Sequence, residues 1–320
     1  MNSPSRSNSR LLSYLQLLRI PNVFTAIADV TMGFLFVGGK LPEQLIPFLG
    51  LVTASSCLYL SGMVLNDVFD FAVDQRDRPD RPLPSGRISR RSATILGVTL
   101  LGIGTASAWL VDGIHPFEGA PTWRSGVIAT LLAIMIVTYD GVVKKTLFAP
   151  LAMGSCRLLN VFLGMSVVRD VSSPFGFRTD QWLIAGGMGV YIVGVTLFAR
   201  NEAHDSRRSS LISATCVMLL GIVMLGLFPF APQATPTLFT HIAVWPFLLS
   251  ILTFSVFRRC GKAIHTPTPS HVQNAVKQAI MTLIVLNAAI CLATVGTFYA
   301  VFVLSLLLPT LLLGRWVYST

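Results

Sequence analysis

Charge is what this chain has least of. Asp, Glu, Lys and Arg together make up 12% of its 320 residues, about half the roughly 25% of a soluble domain. That scarcity excludes a disordered chain, a nucleic-acid-binding domain and an ordinary water-soluble enzyme. Cysteine is scarce too. The five, Cys57, Cys156, Cys216, Cys260 and Cys291, form no CxxC pair, and four lie in apolar runs. They read as small buried apolar side chains, not as a zinc cluster or a disulfide framework. No His pair has zinc spacing, and no GxSxG elbow precedes a usable His, so neither zinc chemistry nor Ser/His/Asp catalysis finds support. Tandem repeats and a separate soluble domain are also absent.

What fills the chain is hydrophobicity. Apolar residues are 53% of the total, and the mean hydropathy is +0.68. Long apolar runs separated by short polar breaks predict an all-α, multi-pass membrane bundle, since an open sheet cannot satisfy its backbone in lipid. Spans are expected near 20–38, 45–66, 92–111, 125–142, 149–168, 181–199, 210–230, 238–257 and 279–313. The last run is too long for one span. It reads either as a helix plus a re-entrant piece or as two helices broken around Gly296, so the count is about nine. Residues 1–19 form a short N-terminal segment, and 20–320 form a single transmembrane domain. No cleavable leader is expected. The polar first ten residues carry Arg6 and Arg10, and the first apolar run continues as a full span.

The net charge is +10. In a membrane protein it is read loop by loop. With the N-terminus in the cytoplasm, 18 of the 24 Lys and Arg fall on inside-facing segments and four on outside ones. The expected topology therefore places the N-terminus and the Asp-rich loops in the cytoplasm. In a bacterial cell the membrane would be the inner one.

The carboxylates are clustered. Asp67, Asp70, Asp74, Asp77 and Asp80 fall within 14 residues at the cytoplasmic end of the second span. Asn66, Asp70 and Asp74 have i, i+4, i+8 spacing and would stack along one helical face. Oxygen ligands grouped this way suit a hard cation such as Mg²⁺, which bridges readily to phosphate oxygens. Arg76, Arg78, Arg81 and Arg87 follow at once, among Pro79, Pro82, Pro84 and Gly86. A cation site beside a stiff, Arg-rich loop is what a diphosphate needs. Orientation in the membrane explains the arginines as well. It does not explain a carboxylate face at the membrane edge.

These residues resemble the UbiA superfamily of intramembrane aromatic prenyltransferases. The resemblance rests first on Asn66-xxx-Asp70-xxx-Asp74 followed by Arg78-Pro79-Asp80-Arg81-Pro82-Leu83-Pro84-Ser85-Gly86-Arg87-Ile88-Ser89. Leu18-Arg19-Ile20-Pro21-Asn22, Tyr139 followed by Lys144-Lys145, and Arg157-xx-Asn160-xxx-Gly164 occur in the matching order. The resemblance implies a bundle of about nine helices around a central cavity. It implies Mg²⁺-dependent transfer of a prenyl group from a polyprenyl diphosphate to a small, aromatic acceptor within the bilayer. By position, Asn66, Asp67, Asp70 and Asp74 would hold Mg²⁺. Arg78, Arg81, Lys144 and Lys145 would hold the diphosphate, and Tyr139 would orient it or shield the allylic cation. Asn22, Asp29, Arg157 and Asn160 are the candidate acceptor pocket. Asp29, within the first span, either contacts the acceptor or pairs with another helix.

The family's second Asp-rich motif is degraded here. Its segment reads Phe198-Ala199-Arg200-Asn201-Glu202-Ala203-His204-Asp205-Ser206. Glu202, helped by Asp205, would complete a second Mg²⁺ site. Alternatively, Arg200 replaces that site as a fixed cation for the diphosphate. A third reading is a protein that binds a ligand without turning it over. The Phe-Ala-Arg-x-Glu-Ala stretch and the opening helix resemble the EboC-type UbiA-like branch, which is associated with export or trafficking of secondary-metabolite precursors. Phosphotransferases acting on CDP-alcohols also use Asp-rich membrane sites, but their Asp-Gly-x-x-Ala-Arg core is absent.

Overall fold

The computed structural model describes residues 6–114, 123–167, 176–200, 207–232 and 242–317. Every regular element among them is helical. The elements are α1 (Arg6–Leu18), α2 (Ile20–Phe36), α3 (Leu45–Phe69), α4 (Phe71–Asp77), α5 (Arg90–Ile114), α6 (Arg124–Gly141), α7 (Ala149–Met165), α8 (Thr179–Ala199), α9 (Arg208–Leu227), α10 (Trp245–His265), α11 (Pro269–Thr294), α12 (Thr297–Ser305) and α13 (Leu307–Trp316). Seven helices among the described residues are long and apolar enough to cross a membrane, and α1 with α2 makes an eighth as a pair bent by 41°. The protein is an integral, multi-pass membrane protein. Large apolar side chains such as Phe247, Phe254, Phe298 and Leu308 stay exposed on its outside, where lipid rather than water meets them.

One of two expected readings of the last run is decided, and other boundaries differ from those expected. The final apolar run breaks at Gly296, whose φ of 118° only glycine adopts easily; α11 stops before it and α12 restarts after it. The eighth span was expected at 238–257, but the helix runs from Trp245, with Pro246 in its first turn, to His265. Residues 258–278 lie between two of the expected spans. They finish α10 and begin α11, with only 266–268 between. The extension of α10 to His265 and the early start of α11 have one cause: hydropathy marks only the lipid-facing part of a helix, while the helix itself continues beyond the hydrocarbon. The short N-terminal segment, residues 1–19, contains a helix, α1.

The helices that frame the centre pack α2 against α7, α3 against α5, α7 against α8 and α11 against α2. α2 and α7 approach most closely where Gly33 faces Gly164. A Cβ on Gly164 would lie 2.5 Å from the Val30 carbonyl oxygen, so only glycine lets these backbones meet. This crossing places Asp29 on α2 opposite Arg157 and Asn160 on α7. At the other end, Leu17, Val64, Val68, Leu83, Ile88 and Ala93 form a small apolar cluster of their own. It pins the 78–89 loop and α1 to the ends of α3 and α5. Ser89 Oγ accepts the Ser92 amide at 3.0 Å and starts α5.

Candidate active site

A cavity of about 440 Å³ opens between the helices. Its inner wall is apolar, with Leu58, Leu132, Ile136, Ile192, Val195 and Leu283. Its mouth is polar, with Arg19, Asn66, Asp70, Arg78, Arg81 and Lys144. A second cavity of about 490 Å³ lies outside the mouth and shares Arg19, Arg78 and Arg81 with the first. A shape with a charged end and a long greasy interior suits a ligand of the same polarity.

The mouth is built by the join of α3 and α4. The helix geometry is interrupted at Asp70, yet the amide of Asp70 still reaches the Asn66 carbonyl at 3.0 Å and that of Asp74 reaches Asp70 at 2.9 Å. Asn66 and Asp70 face the cavity together. The Lys144 ammonium donates to Asn66 Oδ1 and to Asp70 Oδ2. Two oxygens thus converge on one point, and a cation already stands there. Asp74 and Asp67 turn the other way. Asp74 Oδ2 takes Arg81 Nη1 at 2.8 Å, and Asp67 Oδ1 takes Arg19 Nη2 at 2.8 Å with Arg81 Nη1 at 3.5 Å.

The expected four-residue metal set is therefore divided. Asn66 and Asp70 line the inner cavity, Asp67 lines the outer one, and Asp74 is buried behind Arg81. Among the described residues, no group of three or more His, Cys, Asp or Glu gathers around one point. The Asn66–Asp70 pair does not make an all-protein cage. It does fit Mg²⁺, which takes one or two carboxylate or carbonyl ligands and fills its octahedron with water and phosphate oxygens.

Of the other expected residues, Tyr139, Arg78, Arg81, Asn22, Arg157 and Asn160 also line the cavity. Lys145 and Arg200 are exposed and do not. Glu202 and Asp205 lie outside the described residues. Asp29 does not reach the cavity at all. It is fully buried, with Arg157 Nε 2.6 Å from its Oδ2 as an ion pair, Asn160 Nδ2 donating at 3.1 Å and Asn287 Nδ2 donating at 2.8 Å. Of its two expected roles, the structure shows the helix-pairing one: an unpaired carboxylate at that depth is too costly to leave unmatched. Arg157 also holds the Thr25 hydroxyl at 3.2 Å and its carbonyl at 3.1 Å. Ser55 donates to Asn160 Oδ1 at 2.6 Å.

Reasoning from the sequence missed Arg19, Asp140, Tyr59 and Cys156, all on the cavity wall. Arg19 sits at the α1–α2 corner with φ 48° and ψ 45°. A left-handed conformation is unfavourable for a residue with a Cβ, by about 1–2 kcal/mol. From this corner its guanidinium reaches Asp67 Oδ1 at 2.8 Å. Its motif, Leu18-Arg19-Ile20-Pro21-Asn22, was legible in the sequence, but its pairing with Asp67 was not. Asp140 had a signal: it is a carboxylate at the end of an apolar run, beside a tyrosine already singled out.

The family model described as UbiA prenyltransferase family matches residues 26–258. Digeranylgeranylglyceryl phosphate synthase of Saccharolobus solfataricus is 33% identical over 175 residues, covering 54% of this chain and 55% of that protein. The synthase of the same name from Methanocaldococcus jannaschii is 26% identical over 189 residues, covering 53% and 65%. The chain spans about half the length of the curated relatives it matches. A UbiA homolog from Archaeoglobus fulgidus bound to GPP and Mg²⁺ has TM-score 0.61 at 14% identity, covering 92% of this chain and 99% of that one. The apo UbiA homolog from Aeropyrum pernix K1 has TM-score 0.59 at 16% identity, covering 84% and 97%. These structures share the fold. The matches reach the family and not the EboC-type branch.

Proposed function

This chain belongs to the UbiA prenyltransferase family, and from that premise we propose that it transfers a prenyl group from a prenyl diphosphate to an acceptor held in the same cavity. The observation that carries the reading is the polar mouth. Asn66 and Asp70 aim two oxygens at one point, ringed by Arg19, Arg78, Arg81 and Lys144, at the head of an apolar cavity. A diphosphate would sit at that mouth and its isoprenoid tail along Leu58, Leu132, Ile136 and Ile192.

Asn66 and Asp70 would hold Mg²⁺, which supplies positive charge to the departing diphosphate. Lys144 occupies the convergence point of their oxygens, so it would have to move off them when the ion binds, and the diphosphate would offer it a new anionic partner. Arg78, with no carboxylate partner among the described residues, is free to take phosphate oxygens. Arg81 and Arg19 are held by Asp74 and Asp67 and act as oriented walls. Fixed cations at the leaving group stabilise the transition state more than the ground state. The apolar walls would keep water from the allylic carbon, and Tyr139 lines the same cavity.

The resemblance stated from the sequence implies a small aromatic acceptor. The relatives, by contrast, are named for a glyceryl phosphate product. Diphosphate release by the purified protein tests both. Geranyl, farnesyl and geranylgeranyl diphosphates would be offered with and without Mg²⁺, against one panel of phenols and one of glyceryl phosphate lipids. Acceptor-dependent release that disappears in Asp70→Ala supports the enzyme and selects the acceptor class. Mg²⁺-dependent binding without release from any pair would instead favour a binding or trafficking protein on this fold.

A further inference from the structure

Among the described residues, two carboxylates line the inner cavity, Asp70 and Asp140. Asp70 is paired with Lys144. Asp140 has no hydrogen bond or ion pair among the described residues, although it is buried. Two features of its position work against a structural role. It occupies the last turn of α6, where the helix macrodipole disfavours negative charge. It lies at the edge of an apolar span, where a carboxylate is expensive and is a functional candidate by default. Lys144, one turn further on, gives its ammonium to Asn66 and Asp70, and Arg19 gives its guanidinium to Asp67.

We propose that Asp140 accepts the proton of the acceptor during transfer, and that the acceptor is a hydroxyl compound. The inference rests on the prenyltransferase reading and deepens it. A partnerless carboxylate on a cavity wall calls for a ligand that donates a hydrogen bond, and an alcohol or phenol does so. Asp140 shares the polar end of the wall with Asn66 and Asp70, so it stands where the carbon next to the diphosphate must lie. The acceptor oxygen forms a bond to that carbon. The carbon–oxygen bond to the diphosphate breaks, and its electron pair leaves with the diphosphate. The hydroxyl proton passes to an Asp140 carboxylate oxygen and from there to water at the open mouth. Asp67, Asp70 and Asp74 are all neutralised by cations and are poorer candidates for this role.

The test uses the full chain in detergent with Mg²⁺, geranylgeranyl diphosphate as donor, and geranylgeranylglyceryl phosphate or a phenol as acceptor. A non-hydrolysable geranylgeranyl thiolodiphosphate reports donor binding separately. Asp140→Asn is expected to lower kcat for transfer by about 100-fold or more, the usual contribution of a positioned base. Binding of the thiolodiphosphate and acceptor-free diphosphate release should be unchanged. Asp140→Glu should recover part of the transfer rate. Transfer at the wild-type rate in Asp140→Asn overturns the proposal. So does a parallel loss of thiolodiphosphate binding, which would make Asp140 a metal or diphosphate ligand. Equal transfer to an acceptor whose hydroxyl is methylated removes the hydroxyl requirement and overturns it as well. A wild-type protein that binds the thiolodiphosphate but transfers to neither acceptor overturns the prenyltransferase reading, and this proposal falls with it.

Discussion

The molecule contains the same pairing twice, a carboxylate against a basic side chain, in two settings. In the bundle core, Asp29 and Arg157 are 0% and 8% exposed, and three further side chains and a backbone carbonyl close around them. At the cavity mouth, Asp70 and Lys144 keep 19% and 27% of their side-chain surface. The core pair is held in place by Thr25, Asn160 and Asn287, although Arg157 also borders the cavity. The mouth pair can exchange partners, because water and an incoming anion compete for both members. Identical chemistry therefore reads as architecture in one place and as a replaceable ligand set in the other. Burial makes the difference.

Removing one member of each pair should separate the two roles. The largest effect is expected for Asp29→Ala, which leaves Arg157 buried and unpaired. Breaking such a pair costs about 3–5 kcal/mol, visible as a lowered Tm and reduced yield of folded protein in detergent. Asp70→Ala should do the opposite. Thermal stability should stay within about 0.5 kcal/mol, as for most substitutions outside the core, while Mg²⁺-dependent binding of the thiolodiphosphate weakens by about 100-fold, the upper end for lost metal support. An equal fall in Tm for both variants would erase the distinction.

Two smaller effects sharpen it. Gly164→Ala forces α2 and α7 apart and should destabilise by about 1–3 kcal/mol, the range for overpacking, without altering the metal affinity of the protein that remains folded. Lys144→Met should loosen donor binding by about tenfold, consistent with loss of one charged hydrogen bond. It should also strengthen binding of Mn²⁺ alone, read by electron paramagnetic resonance, since the resident cation no longer fills the position between Asn66 and Asp70. Mn²⁺ affinity unchanged or reduced in Lys144→Met would show that the ammonium does not compete for that site.

Much of the site was legible because its residues are close in sequence. Asn66, Asp70 and Arg78 to Arg87 lie on one segment, and spacing alone places them at one membrane edge. Tyr139 and Lys144 were legible as a short motif at the end of another span. The place of Arg19 at the mouth was not, since it depends on a strained corner and on Asp67, 48 residues away. Nor was the division of the acidic set, which depends on Arg81 folding back onto Asp74 and Asp67 while Lys144 arrives from a different helix.

Composition and hydropathy alone determined that this is a helical membrane protein, because lipid admits only helices and closed barrels, and continuous apolar runs of about 20 residues suit helices. The charge pattern alone located the mouth, because a carboxylate cluster at a membrane edge has no cheaper explanation. Tertiary structure decided which charges are bound to one another and which face the cavity. The depth of each side chain is a property of how the helices cross, and depth decides whether a carboxylate such as Asp29 serves the fold or one such as Asp140 is left open to a ligand.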